Sequence, residues 1–248
     1  MNPPETPLRL ASYNVHSWYG SDRRCDPARV VDVIRELGAH VVALQEAQTL
    51  RGHHLTAPLD ALCEEEGYEL VEGPTFEDGR ASYGNAVLSQ LPVRKTSRVD
   101  LTEPRREPRG AVAVEVEHRG TTLQVVTTHL GLRAKERVRQ VSRLLEWLSG
   151  EVARSAPDVL SLMGDFNEWR GKGTALRKIE AAFGRVDAPR SFPTSRPWLR
   201  LDRIWVLPRA AMIGKLHVHR SAGARVASDH LPVVAELDAS GRPWRGWR

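Results

Sequence analysis

The chain contains 248 residues, of which 41% are hydrophobic, and it carries 36 lysines and arginines against 31 aspartates and glutamates. This apolar content excludes an intrinsically disordered chain, because it is sufficient for a sizeable core. The two cysteines, Cys25 and Cys63, form no CxxC pair and exclude a disulfide scaffold or a thiolate zinc site.

The formal net charge of +5 and the pI near 9.5 favour anionic partners. Nucleic acid, phospholipid head groups and phosphorylated metabolites are all compatible with that charge. The N-terminal sequence lacks the basic and apolar stretches of a signal peptide, and no apolar run reaches the roughly 18 residues that span a bilayer. We therefore expect a cytoplasmic protein, and no feature of the sequence indicates an obligate protein partner.

The first part of the chain alternates between strand and helix patterns. Residues 8–15 alternate as a strand, and residues 26–27 supply a helix N-cap followed by a first-turn proline. The helix that starts there has apolar residues at helical spacing and ends at Gly38. A short buried strand over residues 41–44 and a second helix over residues 55–66 follow.

Strand patterns dominate the rest of the chain, interrupted by two helices. Turn sequences such as Gly-Pro, Leu-Pro and Arg-Gly separate the strands. The predicted strands cover residues 68–72, 84–89, 93–101, 111–117, 122–128, 159–163, 201–207, 215–218 and 233–237. The predicted helices cover residues 134–148 and 174–183.

No linker, repeat or low-complexity tract divides the sequence. We therefore predict one domain over residues 8–238, preceded by a flexible segment at 1–7 and followed by a basic, aromatic tail at 239–248. Mixed antiparallel strands with intervening helices favour an α/β (α+β) fold in which the helices cover the faces of the sheets.

Polar side chains recur where the predicted strands begin or end. Residues with this placement are Asn14, Glu46, His129, Asp165, Asn167, Asp202, Asp229 and His230. Any one of them is more simply a turn former or a helix cap. Their recurrence indicates a site, because carboxylate and amide oxygens suit Mg²⁺ or Mn²⁺ and a histidine suits proton transfer or phosphate contact. The sequence thus favours metal-assisted attack on phosphorus.

Short motifs around these residues follow one another along nearly the whole chain. They are Ser12-Tyr13-Asn14-Val15, Leu44-Gln45-Glu46, Gly84-Asn85-Ala86-Val87-Leu88-Ser89, Thr128-His129-Leu130, Gly164-Asp165-Phe166-Asn167, Leu201-Asp202-Arg203-Ile204 and Ser228-Asp229-His230. In this order and spacing they resemble the endonuclease/exonuclease/phosphatase superfamily, a DNase I-like group of metal-dependent phosphoesterases. The resemblance implies a four-layer αββα sandwich, in which two packed mixed β-sheets are flanked by helices and the site lies at one edge of the sheets.

The resemblance also implies a role for each matched residue. It makes Glu46 the principal ligand of Mg²⁺ or Mn²⁺, with Asn14 and Asp229 close by. It assigns to Asp165 and Asn167 the positioning of the attacking water and of a phosphate oxygen.

Two histidines complete the implied site. His230, supported by Asp202, is the imidazole that acts on a proton or steadies the transition state, and His129 contacts the phosphate from another side. These roles meet the needs of phosphoryl transfer, which are charge neutralisation, an oriented nucleophile and leaving-group stabilisation.

Substrate contacts are predicted at Asn85, Arg109 and His16. Arg109 precedes a strand start, and Asn85 belongs to one of the matched motifs. His16 stands where relatives of the abasic-site endonuclease type carry an acidic residue, and a phosphate contact and a structural turn are equally open for it. The basic residues at 133–139 either meet phosphates or form the solvated face of a helix. Trp169 and Trp198 flank the matched motifs and either shape a pocket or pack in the core.

The leading hypothesis is a divalent-metal-dependent phosphoesterase that hydrolyses phosphodiester bonds by in-line attack of an activated water. Nucleic acid is the leading substrate class. A phospholipid, phosphoinositide or sphingomyelinase-like phosphoesterase is the first alternative, and its substrate would be a membrane lipid. A catalytically silent binding module is the other alternative, although the chain retains every motif residue whose loss would indicate it.

Overall fold

The computed structural model describes residues 7–50, 56–78, 81–171 and 173–238 of the chain. Its strands are β1 Leu8–Asn14, β2 Val41–Leu50, β3 Glu69–Glu77, β4 Ala81–Ser89, β5 Val93–Asp100, β6 Gly110–His118, β7 Thr121–His129, β8 Val159–Asp165, β9 Asp202–Leu207, β10 Met212–Val218 and β11 Val233–Leu237. Its α-helices are α1 Pro27–Leu37, α2 Ala57–Glu66, α3 Ala134–Ser155, α4 Thr174–Phe183 and α5 Ala224–Ala227. Single 3₁₀ turns cover His16–Trp18 and Arg209–Ala211.

The strands form two mixed sheets. The first sheet has six strands in the order β10-β11-β1-β2-β4-β3, and the second has five in the order β5-β6-β7-β8-β9. In the first sheet β1 and β2 are parallel, and in the second β7 and β8 are parallel. The other neighbouring pairs are antiparallel.

Side chains that point alternately to the two faces of each strand form the cores between the layers. In β1, Leu8 and Leu10 belong to the core between the two sheets, whereas Ala11 and Tyr13 belong to the core under α1 and α2. This is the two-residue period expected of a strand that is buried on both faces. A third core joins the outer face of the second sheet to α3 and α4. The predicted four-layer αββα sandwich is therefore confirmed.

Several elements are longer than the sequence pattern predicts, and β2 and α3 exceed their predicted bounds most. Strand β2 does not stop at residue 44 but continues to Leu50, because a bulge after Leu44 lets it resume pairing with β4 at Ala47. Helix α3 continues past Gly150 to Ser155, since Val152 extends its buried stripe against the second sheet. Packing here outweighs the low helix propensity of a glycine.

The strand directions bring the candidate residues to one edge. Strands β1, β7 and β8 end there, at Asn14, His129 and Asp165. Strand β9 is antiparallel to β8, so its first residue, Asp202, pairs with Asp165. Strand β11 is antiparallel to β1, so residues just before Val233 lie at the same edge.

None of the helices in the described ranges is both long enough and apolar enough to cross a membrane. The predicted tail at 239–248 lies outside the described residues, as does all of the predicted N-terminal segment except residue 7.

Candidate active site

The amide of Asn14 joins the two sheets at the centre of the site. Its Nδ2 donates to Glu46 Oε1 at 3.0 Å and to Asp165 Oδ2 at 3.1 Å. Its Oδ1 accepts the backbone N–H of His16 at 3.0 Å. Glu46 comes from the first sheet and Asp165 from the second. One side chain therefore holds carboxylates from both sheets side by side.

Glu46 lies in the bulge of β2. Gln45 and Glu46 together face a single residue of β4, and Glu46 adopts a left-handed conformation with φ of +55°. Such a conformation costs energy for a residue other than glycine, and bulges of this kind re-aim side chains next to active sites. The sequence places Glu46 after a strand, whereas the structure places it within one, in the irregularity that turns its side chain to the site.

The loop after β8 is shaped to hold Asp165 and Asn167. Gly164 has a φ of +142°, and a Cβ there would collide with the backbone carbonyl of Thr128 in the neighbouring strand. Asn167 has a left-handed φ of +49°, and its backbone N–H donates to Asp165 Oδ1 at 2.8 Å. Its Nδ2 donates to the carbonyl of Leu130 at 2.8 Å. Only the glycine lets the two strands approach this closely, which fixes the start of the loop.

His230 is held by Asp202 in a buried hydrogen bond. His230 Nδ1 donates to Asp202 Oδ2 at 2.8 Å, and Ser191 donates its hydroxyl to the same oxygen. Burial alone would lower the pKa of His230, but the charge and the hydrogen bond of Asp202, assisted by Asp165 and Asp229, raise it to about 10. The imidazole is therefore cationic at neutral pH, and its Nε2 lies 3.7 Å from Asp165 Oδ2.

His129 is in the opposite protonation state. Burial lowers its pKa to about 3, and the positive charges of Arg109 and His230 add to that effect against the pull of Asp165. The neutral ring has a lone pair on Nε2, which accepts Asn167 Nδ2 at 3.0 Å. The site thus contains one cationic histidine and one neutral histidine on either side of Asp165.

Asp229 and His16 lie at the half-exposed opening of the site. One carboxylate oxygen of Asp229 is buried without a hydrogen-bond partner, 3.8 Å from His16 Nδ1 and 3.9 Å from His230 Nε2. His16 starts a left-handed turn with φ of +46°, and its Nδ1 lies 3.0 Å from the carbonyl of Tyr19. The structure therefore supports a turn role for His16, and its predicted phosphate contact stays a prediction.

Glu46 and Asp229 offer oxygen donors of the kind that a divalent cation binds. Glu46 and Asp229 are both half-exposed carboxylates, and the unpartnered oxygen of Asp229 is an acceptor of the kind that hard cations bind. Asn14 presents its NH₂ group to the carboxylates, so only the second lone pair of its Oδ1 could serve a metal. Its role as a ligand stays a prediction.

Asp165, Asp202 and His230 form a second cluster, with one potential ligand atom from each within 4.8 Å of the others. We do not assign a metal to it. Cationic His230 offers N–H donors rather than lone pairs, and its Nδ1 already bonds to Asp202. The hydrogen bond between Asp202 and His230 favours a pair that handles a proton.

Arg109 and Asn85 lie beside this centre but are largely engaged elsewhere. The guanidinium of Arg109 binds Glu107 through two hydrogen bonds of 2.9 Å and is only 5% exposed. Asn85 Nδ2 donates to the carbonyl of Gly110 at 3.0 Å, while its Oδ1 is buried without a partner. Their predicted substrate contacts stay predictions, and Arg109 would have to exchange Glu107 for a phosphate.

The sequence profile of the Endonuclease/Exonuclease/phosphatase family matches residues 11–230. The chain belongs to this family. Members of the endonuclease/exonuclease/phosphatase family are hydrolases of phosphoester bonds, and the matched span contains all the residues predicted for the site. The resemblance read from the sequence motifs is therefore confirmed.

Individual relatives extend the likeness over most of the chain. YbhP of Escherichia coli, an uncharacterised protein, is 30% identical over 250 residues, which cover 93% of this chain and 96% of YbhP. An endonuclease/exonuclease/phosphatase from Beutenbergia cavernae is 26% identical with a TM-score of 0.72, and the match covers 94% of this chain and 72% of that one. A mannosyl-6-phosphatase from Bacteroides thetaiotaomicron shares the fold at 18% identity, with a TM-score of 0.73 and coverages of 93% and 99%.

Several residues that contact the site are not among the site residues predicted from the sequence. Ser191 bonds to Asp202, and the ring of Phe192 lies 4.7 Å from that of His230. Ser228 donates to the carbonyl of Asn14 at 2.7 Å and so ties β1 to the loop before β11. Buried Gln45 donates to Thr127 Oγ1 at 3.0 Å across the two sheets. Ser191 and Phe192 lie in a loop that none of the matched motifs covers. Gln45 and Ser228 lie inside matched motifs, but the motifs assign them no role.

Arg137 fits neither role predicted for the basic stretch at 133–139, which were phosphate contact and a solvated helix face, because its side chain is buried in an ion pair. It donates to the carbonyls of Gly131 and Leu132 and forms an ion pair of 3.2 Å with Glu168. Both side chains of the pair are no more than 3% exposed. Helix α3 therefore anchors the loop after β7 to the loop after β8 from beneath the site.

We expect Arg137→Met to lower the free energy of unfolding by about 3–5 kcal/mol, because it leaves the buried charge of Glu168 without its ion-pair partner. Urea unfolding followed by circular dichroism measures the change. Arg143→Met is the matched control on α3. Arg143 is half-exposed, and its partner Glu103 keeps Arg139, so the loss there should stay below about 1 kcal/mol. Equal losses in the two variants would show that the buried pair has no special weight.

Proposed function

We propose that this protein hydrolyses phosphodiester bonds with the help of Mg²⁺ or Mn²⁺, by in-line attack of an activated water. The observation that carries the proposal is the bridge formed by Asn14 between Glu46 and Asp165. It brings a half-exposed carboxylate suited to a cation next to a buried carboxylate suited to orienting a nucleophile. Phosphoryl transfer needs both, because charge neutralisation and positioning account for most of its catalysis.

The metal would be held by Glu46 and Asp229, with Asn14 beside them. When bound, it would neutralise charge on the phosphate and lower the pKa of bound water. This arrangement agrees with the unpartnered oxygen of Asp229. The choice between Mg²⁺ and Mn²⁺ is left to measurement.

The chain's own groups would do the remaining work. Asp165, an acceptor fixed by Asn14 and by the backbone of Asn167, would orient the attacking water. Cationic His230 would donate an N–H to the phosphate or a proton to the leaving group, held in place by Asp202. His129 and the carbonyl of Leu130 would accept the two amide protons of Asn167, which leaves its Oδ1 as an acceptor for a proton of the attacking water.

Nucleic acid is the substrate class we favour. The net charge of +5 suits a polyanion, and exposed arginines line the loops that carry the catalytic residues. Lipid and small phosphoesters enter as competing substrates. The name of the related mannosyl-6-phosphatase indicates a phosphomonoester, so such a substrate belongs in the comparison.

A substrate panel with Mg²⁺ and Mn²⁺ tests the proposal. Initial rates are measured on bis(p-nitrophenyl) phosphate, single-stranded DNA, RNA, duplex DNA, phospholipid vesicles and mannose 6-phosphate. We expect hydrolysis of the small diester and faster cleavage of nucleic acid, with cleavage that declines as salt rises. Preference for vesicles or for the monoester would overturn the substrate class.

We expect Asp202→Asn to lower kcat on the small diester by about 10- to 100-fold, a part of the roughly 10²- to 10⁴-fold that a well-positioned acid–base group contributes. The pH profile identifies the cause. Asp202 raises the pKa of His230, so its removal lowers that pKa and moves the alkaline limb of the kcat/KM profile to lower pH. An unchanged limb would mean that Asp202 acts on stability alone.

A further inference from the structure

A groove of about 490 Å³ opens beside the two catalytic loops, and we call it the basic groove. Its exposed lining is formed by Arg106, Arg133, Lys135, Arg139, Trp169 and Arg170. The side chains come from the loop before β6, the loop after β7 with the first two turns of α3, and the loop after β8. Three segments that are distant in sequence thus supply a single concave surface.

The basic groove is formed in part by the same two loops that follow His129 and Asn167. Arg133 follows His129 by four positions, and Trp169 follows Asn167 by two. The two loops are tied together where Asn167 Nδ2 donates to the carbonyl of Leu130 at 2.8 Å. The groove therefore lies beside the proposed phosphate site, within the same pair of loops.

The cations of the groove are available to a ligand. Within the described residues, Arg106, Arg133, Lys135 and Arg170 form no ion pair, whereas exposed Arg139 is paired with Glu103 and buried Arg137 with Glu168. The carboxylate in the lining is Glu136, which is buried and accepts a hydrogen bond from Gln140. The accessible charge of the groove is thus positive, and its complement is a polyanion.

Trp169 provides an aromatic surface in the same groove. The guanidinium of Arg137 lies 5.3 Å from the centre of its ring, and that arginine is itself buried and held by Glu168. This cation–π contact covers part of the ring. The indole is nevertheless 52% exposed. A ring with this much exposed surface is suited to stacking against a planar group.

We propose that the basic groove binds a single-stranded nucleic acid, with its phosphates on the free cations and one unpaired base stacked on Trp169. The inference rests on the proposed function, because the bound strand is the substrate extending from the catalytic centre. Stacking requires an unpaired base, which a duplex does not offer. A lipid surface is disfavoured because the cations and the indole line a concavity rather than a protruding apolar surface.

Binding without turnover tests the proposal on the full chain. Fluorescence anisotropy with a labelled oligothymidylate is measured in EDTA, with the corresponding duplex and anionic phospholipid vesicles as competitors. We expect Trp169→Ala to weaken binding by about 5- to 150-fold, which corresponds to the loss of one stacked base. Trp169→Phe, which keeps a ring, should restore most of the affinity. Trp198→Ala is the matched control, since Trp198 is 63% exposed but does not line the groove.

The charges are tested by salt dependence. Arg133→Gln combined with Arg170→Gln should reduce the slope of log Kd against log salt by about 1.4, or about 0.7 for each phosphate of a single strand that the protein no longer neutralises. Lys178→Gln combined with Lys215→Gln removes the same charge at exposed positions outside the groove and should leave the slope unchanged. Thermal unfolding of each variant confirms that it is folded.

Three results would overturn the groove proposal. They are equal affinity of Trp169→Ala and wild type, an unchanged salt slope in the groove double variant, and tighter binding of the duplex or the vesicles than of the single strand. These outcomes are separate from failure of the proposed function. That failure would appear as absent hydrolysis of bis(p-nitrophenyl) phosphate by the wild-type protein with metal, whatever the oligonucleotide binding shows.

Discussion

Asp165→Asn is expected to reduce kcat on bis(p-nitrophenyl) phosphate by about 10²- to 10³-fold, a loss typical of removing one preorganised polar group from a catalytic site. The variant keeps the volume of the side chain but replaces an acceptor with an amide. Asp165 Oδ2 accepts Asn14 Nδ2 and lies 3.6 Å from His129 Nε2 and 3.7 Å from His230 Nε2. An NH₂ group there would face the donors of Asn14 and His230, and it would no longer attract a proton of the attacking water.

The control for this variant is Asp187→Asn. Asp187 also pairs with a cation, Arg200 at 3.0 Å, but its side chain is 85% exposed. The control should keep wild-type kcat. Thermal unfolding of both proteins separates a catalytic defect from a folding defect. If folded Asp165→Asn retained kcat within about twofold of the wild type, the assignment of the site would be wrong.

Removal of divalent metal is expected to have the largest effect of all. Wild-type protein treated with EDTA should hydrolyse bis(p-nitrophenyl) phosphate no faster than buffer. Without the cation, the negative charge of the phosphate is not neutralised and the pKa of the attacking water is not lowered. Mg²⁺ or Mn²⁺ added in excess of the chelator should restore the rate. A rate that persists in EDTA would exclude the proposed chemistry.

Glu46→Gln tests whether Glu46 is the residue through which the protein binds the metal. Removal of the carboxylate should raise the metal concentration needed for half-maximal rate by about 10- to 100-fold or more, since even outer-shell partners of a metal have effects of that size. Glu64→Gln, at an exposed position on α2, should leave the metal titration unchanged. An unchanged titration in Glu46→Gln would move the metal to other residues.

Much of the fold is predictable from the sequence because its signals are local. Helix α1 lies between the predicted proline start and the left-handed Gly38, and α4 has the predicted bounds. Strand β11 also has its predicted bounds. In each case apolar periodicity coincides with a strong start or stop residue, so nearby and distant interactions favour the same structure.

The candidate site is only partly predictable, because its geometry depends on contacts between distant residues. The motifs identify Asn14, Glu46 and Asp165, but no sequence pattern shows that Asn14 bridges the two carboxylates or that Glu46 lies in a bulge. Burial of Arg137 beneath the site likewise depends on Glu168, which is 31 positions away. Charge patterns along a helix do not distinguish a buried cation from a solvated one.

The origin of the oxygen transferred to phosphorus tests the central claim most directly. Wild-type protein with Mg²⁺ or Mn²⁺ hydrolyses bis(p-nitrophenyl) phosphate in water enriched in heavy oxygen, and mass spectrometry locates the label in the products. In-line attack of water on phosphorus predicts one heavy oxygen in p-nitrophenyl phosphate and none in p-nitrophenol. Label in p-nitrophenol, or no hydrolysis in the presence of metal, would contradict it.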